Sequence, residues 1–465
     1  MTAPRDALPS GPLLSFYGDD YTGSSAVMEV LTFAGVPTVL FLGLPTDAQL
    51  ARFADFRAVG IAGVARSQSP HWMDEHLPPV FARLAALKAP IAHYKMCSTF
   101  DSAPHVGSIG RAIELAEPVL GGDWHPLIVG APAIARYQAF GNLFAGIGGE
   151  GYRLDRHPIM ARHPVTPMDE ADVRRHLARQ TDIPVGLVDF IAVKDCRADA
   201  RLASERADGA RIVAIDVLDD ETLVEAGRLV WEQRGERLLT VGSQGVEYAL
   251  VAYWQAAGLL PKVSVAAGPA TAERVVVVSG SCSAITAGQI SRALDSGFSG
   301  IRLDATRAVD PATWEAELSR AAADALKALG EGHDPLVFTA SGPDDPAVPA
   351  LNQAIAASGA NSGAVNARIG DGLGQVLDRV VRGASLKRAI ISGGDTSGHA
   401  AMALGIHAVT AIAPLAPGSP LCRAHADAPA HDGLEIAFKG GQMGTADFFC
   451  IARQGGASET SKGRN

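Results

Sequence analysis

The stretch 13–42, "LLSFYGDDYTGSSAVMEVLTFAGVPTVLFL", decides the fold class. "LLSFY" is an apolar run of strand length, and Val27, Val30, Leu31 and Ala34 then recur at helical spacing. Gly35 supplies a C-cap and "PTVLFL" resumes extended structure, so the stretch reads as strand, helix, strand. At the hand-over from strand to helix stand two adjacent acids, Asp19 and Asp20. Two carboxylates there repel each other and are costly to bury, so something has to compensate them.

The same alternation extends outward in both directions. Strand-like runs recur at 58–65, 126–132, 186–193, 210–217 and 237–245. A stretch of small, Pro/Gly-punctuated residues at 258–273, "GLLPKVSVAAGPATAE", marks a boundary. A fresh series follows at 274–281, 335–342, 388–395 and 434–441. The pattern predicts an α/β protein of two domains, about 1–262 and 272–455, each a mostly parallel sheet flanked by helices, with an interdomain cleft. Residues 456–465 read as a flexible tail.

A chain of 465 residues exceeds one compact core, and 47% hydrophobic with 19% charged residues is ordinary globular material. The net charge of −10 argues against gripping nucleic acid through an overall positive field. Five cysteines, widely spaced and never as C-x-x-C, fit reduced thiols rather than a disulfide frame. The first residues lack a basic start followed by an apolar region, and no apolar run approaches the roughly 20 residues that span a bilayer. A cytoplasmic location without membrane attachment is the expectation.

In the C-terminal half three strand ends share one chemistry. Gly280, Ser281 and Ser283 follow the first run, with Thr286 and Gln289 in capping-box spacing behind them. Gly393, Gly394, Asp395 and Thr396 follow another, and Lys439, Gly440, Gly441 and Gly444 a third. Glycines let the backbone approach a ligand, and helix N-termini add free N–H groups, so these loops suit an anion, above all a nucleotide polyphosphate. No G-x-x-x-x-G-K-S/T is present, and the literal G-x-G-x-x-G at Gly146, Gly148 and Gly151 follows no predicted strand and reads as a loop.

The N-terminal half offers Arg66 and Ser67 just past a strand, and "YKMCSTFDS" with Lys95, Ser98, Thr99 and Asp101. Arg66 and Lys95 suit a carboxylate or phosphate, or else are surface cations in salt bridges. Cys97 reads as an inert thiol. A helix is expected to begin near Thr166 and Asp169. "HADAPAH" at 425–431 lacks the strict spacing of a zinc site, and no metal ligands are assigned.

Together these motifs resemble the four-carbon acid sugar kinase family over nearly the whole chain and in the same order. "GDDYTGSS" looks like the family's D-D-F/Y-T-G opening, "ARS" its substrate-side region, and "YKMCSTFDS" its K-x-x-S-T motif. "VGSQG" at 241–245 resembles the G-S-x-G that closes the first domain, and "SGSCSAIT", "SGGDTSG" and "KGGQMG" resemble the nucleotide-side motifs. Much of the family carries K-x-D-S-T-x-R-G, whereas here Cys97 replaces that Asp and Asp101 stands in place of the Arg. This version resembles the branch acting on 3-oxo-tetronates and 3-oxo-isoapionate. Residues 130–142 and Ser108 depart from the 3-oxo-tetronate kinases, which brings 3-oxo-isoapionate forward.

The resemblance implies an acid-sugar-binding N-terminal domain, an ATP-binding C-terminal domain and Mg²⁺ on the phosphates. It implies Asp19 and Asp20 as the catalytic carboxylates, Asp20 being favoured to receive the proton of the attacking hydroxyl, with Arg66, Lys95 and Ser98 on the sugar. Ser281, Ser283, Gly393, Gly394, Asp395, Thr396, Gly440 and Gly441 fall on ATP. Acid sugar and ATP are then the partners, with a homodimer as the candidate assembly. A kinase of threonate or erythronate, or a non-catalytic sensor of acid sugar or nucleotide, are the other readings.

Overall fold

The computed structural model describes residues 7–163, 165–264 and 267–456, except the side chains of Asp395 and Thr396. Most of the expected tail, 457–465, lies outside the described residues. The chain divides into two units: one takes the chain up to Val39 and Gly43–Ser264, the other Leu40–Leu42 and everything after Ser264.

The first unit carries β1 (Leu14–Gly18), β2 (Thr38–Phe41, whose second half belongs to the other unit), β3 (Ala58–Ala62), β4 (Ile91–Lys95) and β5 (His125–Ile128). Three short strands follow, β6 (Arg136–Ala139), β7 (Asn142–Ile147) and β8 (Glu150–Arg153). Then come β9 (Val185–Val188), β10 (Ile212–Ile215) and β11 (Leu238–Gly242). Seven of these form a parallel run in the order β3-β1-β4-β11-β5-β10-β9. Every residue of β1, β3, β4 and β11 is buried, as a sheet covered by helices on both faces demands, and this is why these strands read as continuous apolar runs.

The second unit holds β12 (Val276–Ser279), β13 (Phe298–Arg302), β14 (Asp334–Phe338), β15 (Arg388–Ser392), β16 (Ile406–Ala416), β17 (Ser419–Ala426) and β18 (Glu435–Lys439). The order is β13-β14-β12-β15-β18-β17-β16, parallel through β18 and antiparallel thereafter. Leu40 and Phe41 pair antiparallel with Val409 and Ala408 of β16.

Several expectations are corrected in detail. Gly146 lies within β7 and Gly151 within β8, so the G-x-G-x-x-G match is an antiparallel hairpin turning at Gly148 and Gly149, not an unstructured loop. The run 186–193 is strand only to Val188, because Asp189 caps a short helix by accepting from the Ala192 N–H. The helix expected from Thr166 or Asp169 begins at Val173, where Asp172 accepts from the Arg174 N–H. Thr286 and Gln289 form no capping box: Ser283 is the N-cap. The β16–β17 hairpin, absent from the sequence reading, turns at Pro417 and Gly418.

Packing between helices Asp220–Glu232 and Gly245–Ala256 depends on Gly227, whose hydrogen faces the Ala249 carbonyl so closely that a methyl would overlap it. Gly227→Ala gains roughly 0.5–1 kcal/mol of helix propensity. Overpacking against unyielding backbone costs about 1–3 kcal/mol, and it wins. The expected outcome is a lower urea midpoint at unchanged m-value; a variant as stable as the parent contradicts this packing account.

Candidate functional site

In the first unit the site grows from adjacent strand ends. Gly18 of β1 pairs with Ala62 of β3 and with Lys95 of β4. Asp19, Arg66 and Lys95 are thereby brought to one edge, and backbone bonds fix them: the Asp19 N–H donates to the Lys95 carbonyl (3.0 Å) and the Arg66 N–H to the Asp19 carbonyl (3.1 Å). Asp20 is the N-cap of helix Tyr21–Phe33, its Oδ1 accepting from the Gly23 N–H at 3.0 Å. Gly23 is required there, because a Cβ would overlap both the Asp20 carboxylate and the Lys95 ammonium.

The compensation for the paired acids is explicit. Arg66 Nη2 lies 3.2 Å from Asp19 Oδ1 and bonds Asp20 Oδ1 as well. Asp19 is 1% exposed and the Asp20 side chain 23% exposed, so only the second is open to a ligand. Burial pushes the Asp19 carboxyl above the usual range; Arg66 opposes this, Asp20 adds to it, and Lys95 opposes it. Burial works against the Arg66 charge, but Asp20 and Asp19 outweigh it and hold that group well above its ordinary pKa.

The loop after β4 completes this edge. Lys95 is buried and its Nζ donates to the Met96 carbonyl at 2.8 Å. Ser98 sits half-buried in the turn that follows. Cys97 Sγ lies 3.0 Å from Thr99 Oγ1, which donates to Asp101 Oδ1 at 2.8 Å. Burial pushes the Cys97 thiol up to about 11, which makes it a poor nucleophile, as its inert reading implies. Ser108 is buried and caps helix Ile109–Leu120 by accepting from the Arg111 N–H.

In the second unit, β12, β14, β15 and β18 run parallel, so their following loops leave one common edge. Ser283 caps helix Ala284–Asp295, and its Oγ donates to the Gly441 carbonyl, tying the β12 loop to the β18 loop. Ser281 Oγ lies 2.9 Å from Thr286 Oγ1, and a Cβ on Gly441 would stand 3.0 Å from that Ser281 oxygen. Gln289, free of any capping role, donates to the Met443 and Thr445 carbonyls, both at 2.9 Å. Gly393 (φ 132°) precedes helix Gly394–Ala403, and its N–H donates to the Lys439 carbonyl at 2.8 Å. Ser281, Ser283, Gly393, Gly394, Gly440 and Gly441 therefore share one edge; the side chains of Asp395 and Thr396 lie outside those described.

At the centre of this edge is Lys439, fully buried, donating from Nζ to Thr286 Oγ1 (3.1 Å) and the Gly440 carbonyl (2.9 Å). Burial pulls its pKa down to about 8. The resulting cradle of hydroxyls, glycine backbone and one ammonium suits phosphate oxygens.

Comparison with known proteins bears on both edges. Residues 14–250 match the family model of a sugar-binding N-terminal domain, and 276–449 that of a nucleotide-binding C-terminal domain. A Paraburkholderia graminis protein named 3-oxo-isoapionate kinase is 50% identical over 97% of this chain and 96% of its own. The chain belongs to the four-carbon acid sugar kinase family. A Cupriavidus necator member named 3-oxo-tetronate kinase is 32% identical over 97% of this chain and 98% of its own. A crystal structure from Salmonella typhimurium LT2 shares the fold with a TM-score of 0.75 at 25% identity, covering 95% of this chain and 98% of that one.

Two features of the first unit were not legible in the sequence. Asp101 was visible in its motif, but its contact with Thr99 was not. Arg136 carried no signal, because its placement depends on the hairpin β6–β7 that periodicity did not announce. Among the described residues no helix is long and apolar enough to cross a membrane.

The Lys439 environment gives a stability test with a definite sign. Its folded pKa of about 8 lies below the ordinary 10.5, so the folded state holds fewer protons between those values. Its stabilising contribution is complete above 10.5 and is lost as pH falls through about 8. Measured by thermal unfolding from pH 7 to 10, the wild type gains on Lys439→Met as pH rises. A gap constant across that range contradicts the assignment.

Proposed function

We propose that the chain is an ATP-dependent kinase that phosphorylates a hydroxyl of a small oxo-acid sugar, with 3-oxo-isoapionate as the first substrate and 3-oxo-tetronates next. The observation that carries this reading is the cluster of Asp19, Asp20, Arg66 and Lys95 at one sheet edge. The name of the half-identical Paraburkholderia graminis relative supports the choice of substrate. The division of labour follows the two family domains: about 1–262 binds acid sugar and about 272–455 binds nucleotide.

Phosphoryl transfer asks a protein for positioning, charge neutralisation and a group that orients or accepts the hydroxyl proton. Asp20 takes the proton, because its carboxylate is the reachable member of the pair. Asp19, sealed behind it, fixes Arg66 in place. Arg66 and Lys95 meet the substrate carboxylate or the transferring phosphoryl group, and Ser98 contacts the sugar. Ser281, Ser283, Gly393, Gly394, Asp395, Thr396, Gly440 and Gly441 hold the ATP phosphates, assisted by Lys439.

Among the described residues no group of three His, Cys, Asp or Glu side chains is placed to hold a metal ion. Mg²⁺ is taken as part of the MgATP substrate, with Asp395 meeting it through water or else meeting a ribose hydroxyl. A cytoplasmic enzyme acting as a homodimer completes the reading.

An ADP-coupled assay over 3-oxo-isoapionate, 3-oxo-tetronates, threonate and erythronate tests the proposal. Turnover is expected to be highest with 3-oxo-isoapionate; if no acid sugar stimulates ADP formation, a binding protein without catalysis is the better reading. Asp20→Asn is expected to keep its fold and ATP affinity while kcat falls by about 10²- to 10⁴-fold, the usual worth of a positioned base. Unchanged kcat in that variant removes Asp20 from proton handling.

A further inference from the structure

The cations around the acid-sugar edge are not equally occupied. Arg66 is already engaged by Asp19 and Asp20, and Lys95 by the Met96 carbonyl beside Asp19. Arg136 differs. Its hydrogen bonds leave from Nη1 and go to the carbonyls of Ile134 (3.2 Å), Ala135 (3.2 Å) and Gly146 (3.4 Å). Its Nε is buried without a hydrogen-bond partner, as is that of Arg66; what sets Arg136 apart is that among the described residues no carboxylate lies within ion-pair distance of it. Burial lowers its pKa, with only the influence of Cys97 and Asp101 opposing. The hairpin that carries it shares a buried cluster with the loop after Lys95: Ala145, the cross-strand partner of Arg136, and Leu143 belong to the same core as Met96 and Phe100, and the Cys97 and Asp101 side chains act on Arg66 as well.

Arg136 is also held firmly. Two residues on, Gln138 is fully buried, its Nε2 donating to the Ile215 carbonyl (3.0 Å) and its Oε1 accepting from the Val129 N–H (3.3 Å). Gln138 and Val217 exchange backbone bonds at 2.9 and 3.0 Å. Asp216 accepts from the N–H groups of Phe140, Gly141 (2.9 Å) and Phe190 (3.2 Å), pinning the turn where Phe140 and Gly141 adopt φ of 51° and 76°. The hairpin is thus riveted to β5 and β10, and it presents a guanidinium on a rigid element.

A buried guanidinium with carbonyls on one nitrogen and an idle Nε edge is a charge waiting for an anion, and that edge matches a carboxylate as a two-pronged fork. We propose that Arg136 reads the carboxylate of the acid sugar, leaving Arg66 and Lys95 to the end of the substrate where phosphoryl transfer occurs. The inference rests on the acid-sugar kinase reading. It adds to it a determinant for acids over neutral sugars, held in place by Gln138 and Asp216. The alternative role, clamping the left-handed turn at Ala135 (φ 53°), affects folding and not the choice between acid and neutral ligand.

The test compares 3-oxo-isoapionate with its carboxamide analogue in wild type, Arg136→Leu and Arg136→Lys. Loss of a charge-assisted fork is worth about 10- to 100-fold. Arg136→Leu is expected to raise KM for the acid by that factor while kcat changes little and the amide is handled as before. Arg136→Lys keeps the charge and retains an intermediate preference for the acid, and it serves where the leucine variant does not fold. Equal losses toward acid and amide, or a loss confined to kcat, overturn the proposal. Thermal shift with the acid alone separates the two readings. A wild type stabilised by the acid but not by the amide, with an unresponsive Arg136→Leu, supports Arg136 even if no ADP forms. Equal stabilisation of wild type and Arg136→Leu, or none of either, overturns it.

Discussion

A carboxylate cannot be sealed at the end of a sheet strand alone, and Asp19 is so sealed. Much of the first unit's active edge follows from meeting that constraint. Arg66 approaches from the loop after β3 and Lys95 from the end of β4, the two strands that flank β1. Gly23 has no side chain because the Asp20 carboxylate and the Lys95 ammonium occupy its space. Two acids and two cations in so small a volume balance formally. The balance is imperfect in detail, since burial still outweighs the cations at Asp19. An edge in this condition favours a ligand that brings hydroxyl groups able to donate to the carboxylates.

The second unit meets the opposite constraint, a buried cation. Lys439 has two oxygen partners and, among the described residues, no carboxylate within ion-pair distance, and burial pulls its proton affinity down. Phosphate oxygens arriving at the neighbouring glycines would raise that affinity again. Asp345 is nearby in the loop set but already spoken for. Arg302 binds it through two nitrogens, at 3.0 and 2.8 Å, and Ser341 and Ala347 donate to it, which holds its pKa far below the usual range. Its role is to shape the turn after β14.

What could be read from the sequence tracks how local the cause is. The parallel strands announce themselves because burial on both faces demands unbroken apolar runs, as in "VVVS" of β12. The paired aspartates and the glycine loops were legible for the same reason: the chemistry is written in adjacent residues. The hairpins β6–β8 were not, since short, half-exposed antiparallel strands such as Arg136–Ala139 carry little periodic signal. Gln289 illustrates the remaining failure. Its spacing from Thr286 suggests a cap, yet Ser283 took that role and the amide reaches the Met443 and Thr445 carbonyls more than 150 residues away. Nothing local in the sequence encodes such a bond.

The departures from the 3-oxo-tetronate kinases carry unequal weight once their surroundings are known. Ser108 is a buried helix cap bonded to the Arg111 N–H, so a serine there concerns how a helix starts, and says little about substrate. The segment 130–142 is different, because it contains Arg136 and the hairpin turn pinned by Asp216. The loop after β4 completes the contrast. Replacing the family's Asp by Cys97 removes one negative charge, and Asp101 in place of Arg removes a positive charge and adds a negative one. The pair of changes leaves this loop one unit more negative. Arg66 and Arg136 are the cations that feel the two altered positions. Substrate choice in this branch is sought in the charge of the loop that carries Asp101 and in the segment that carries Arg136, and not in the aspartate pair common to the family.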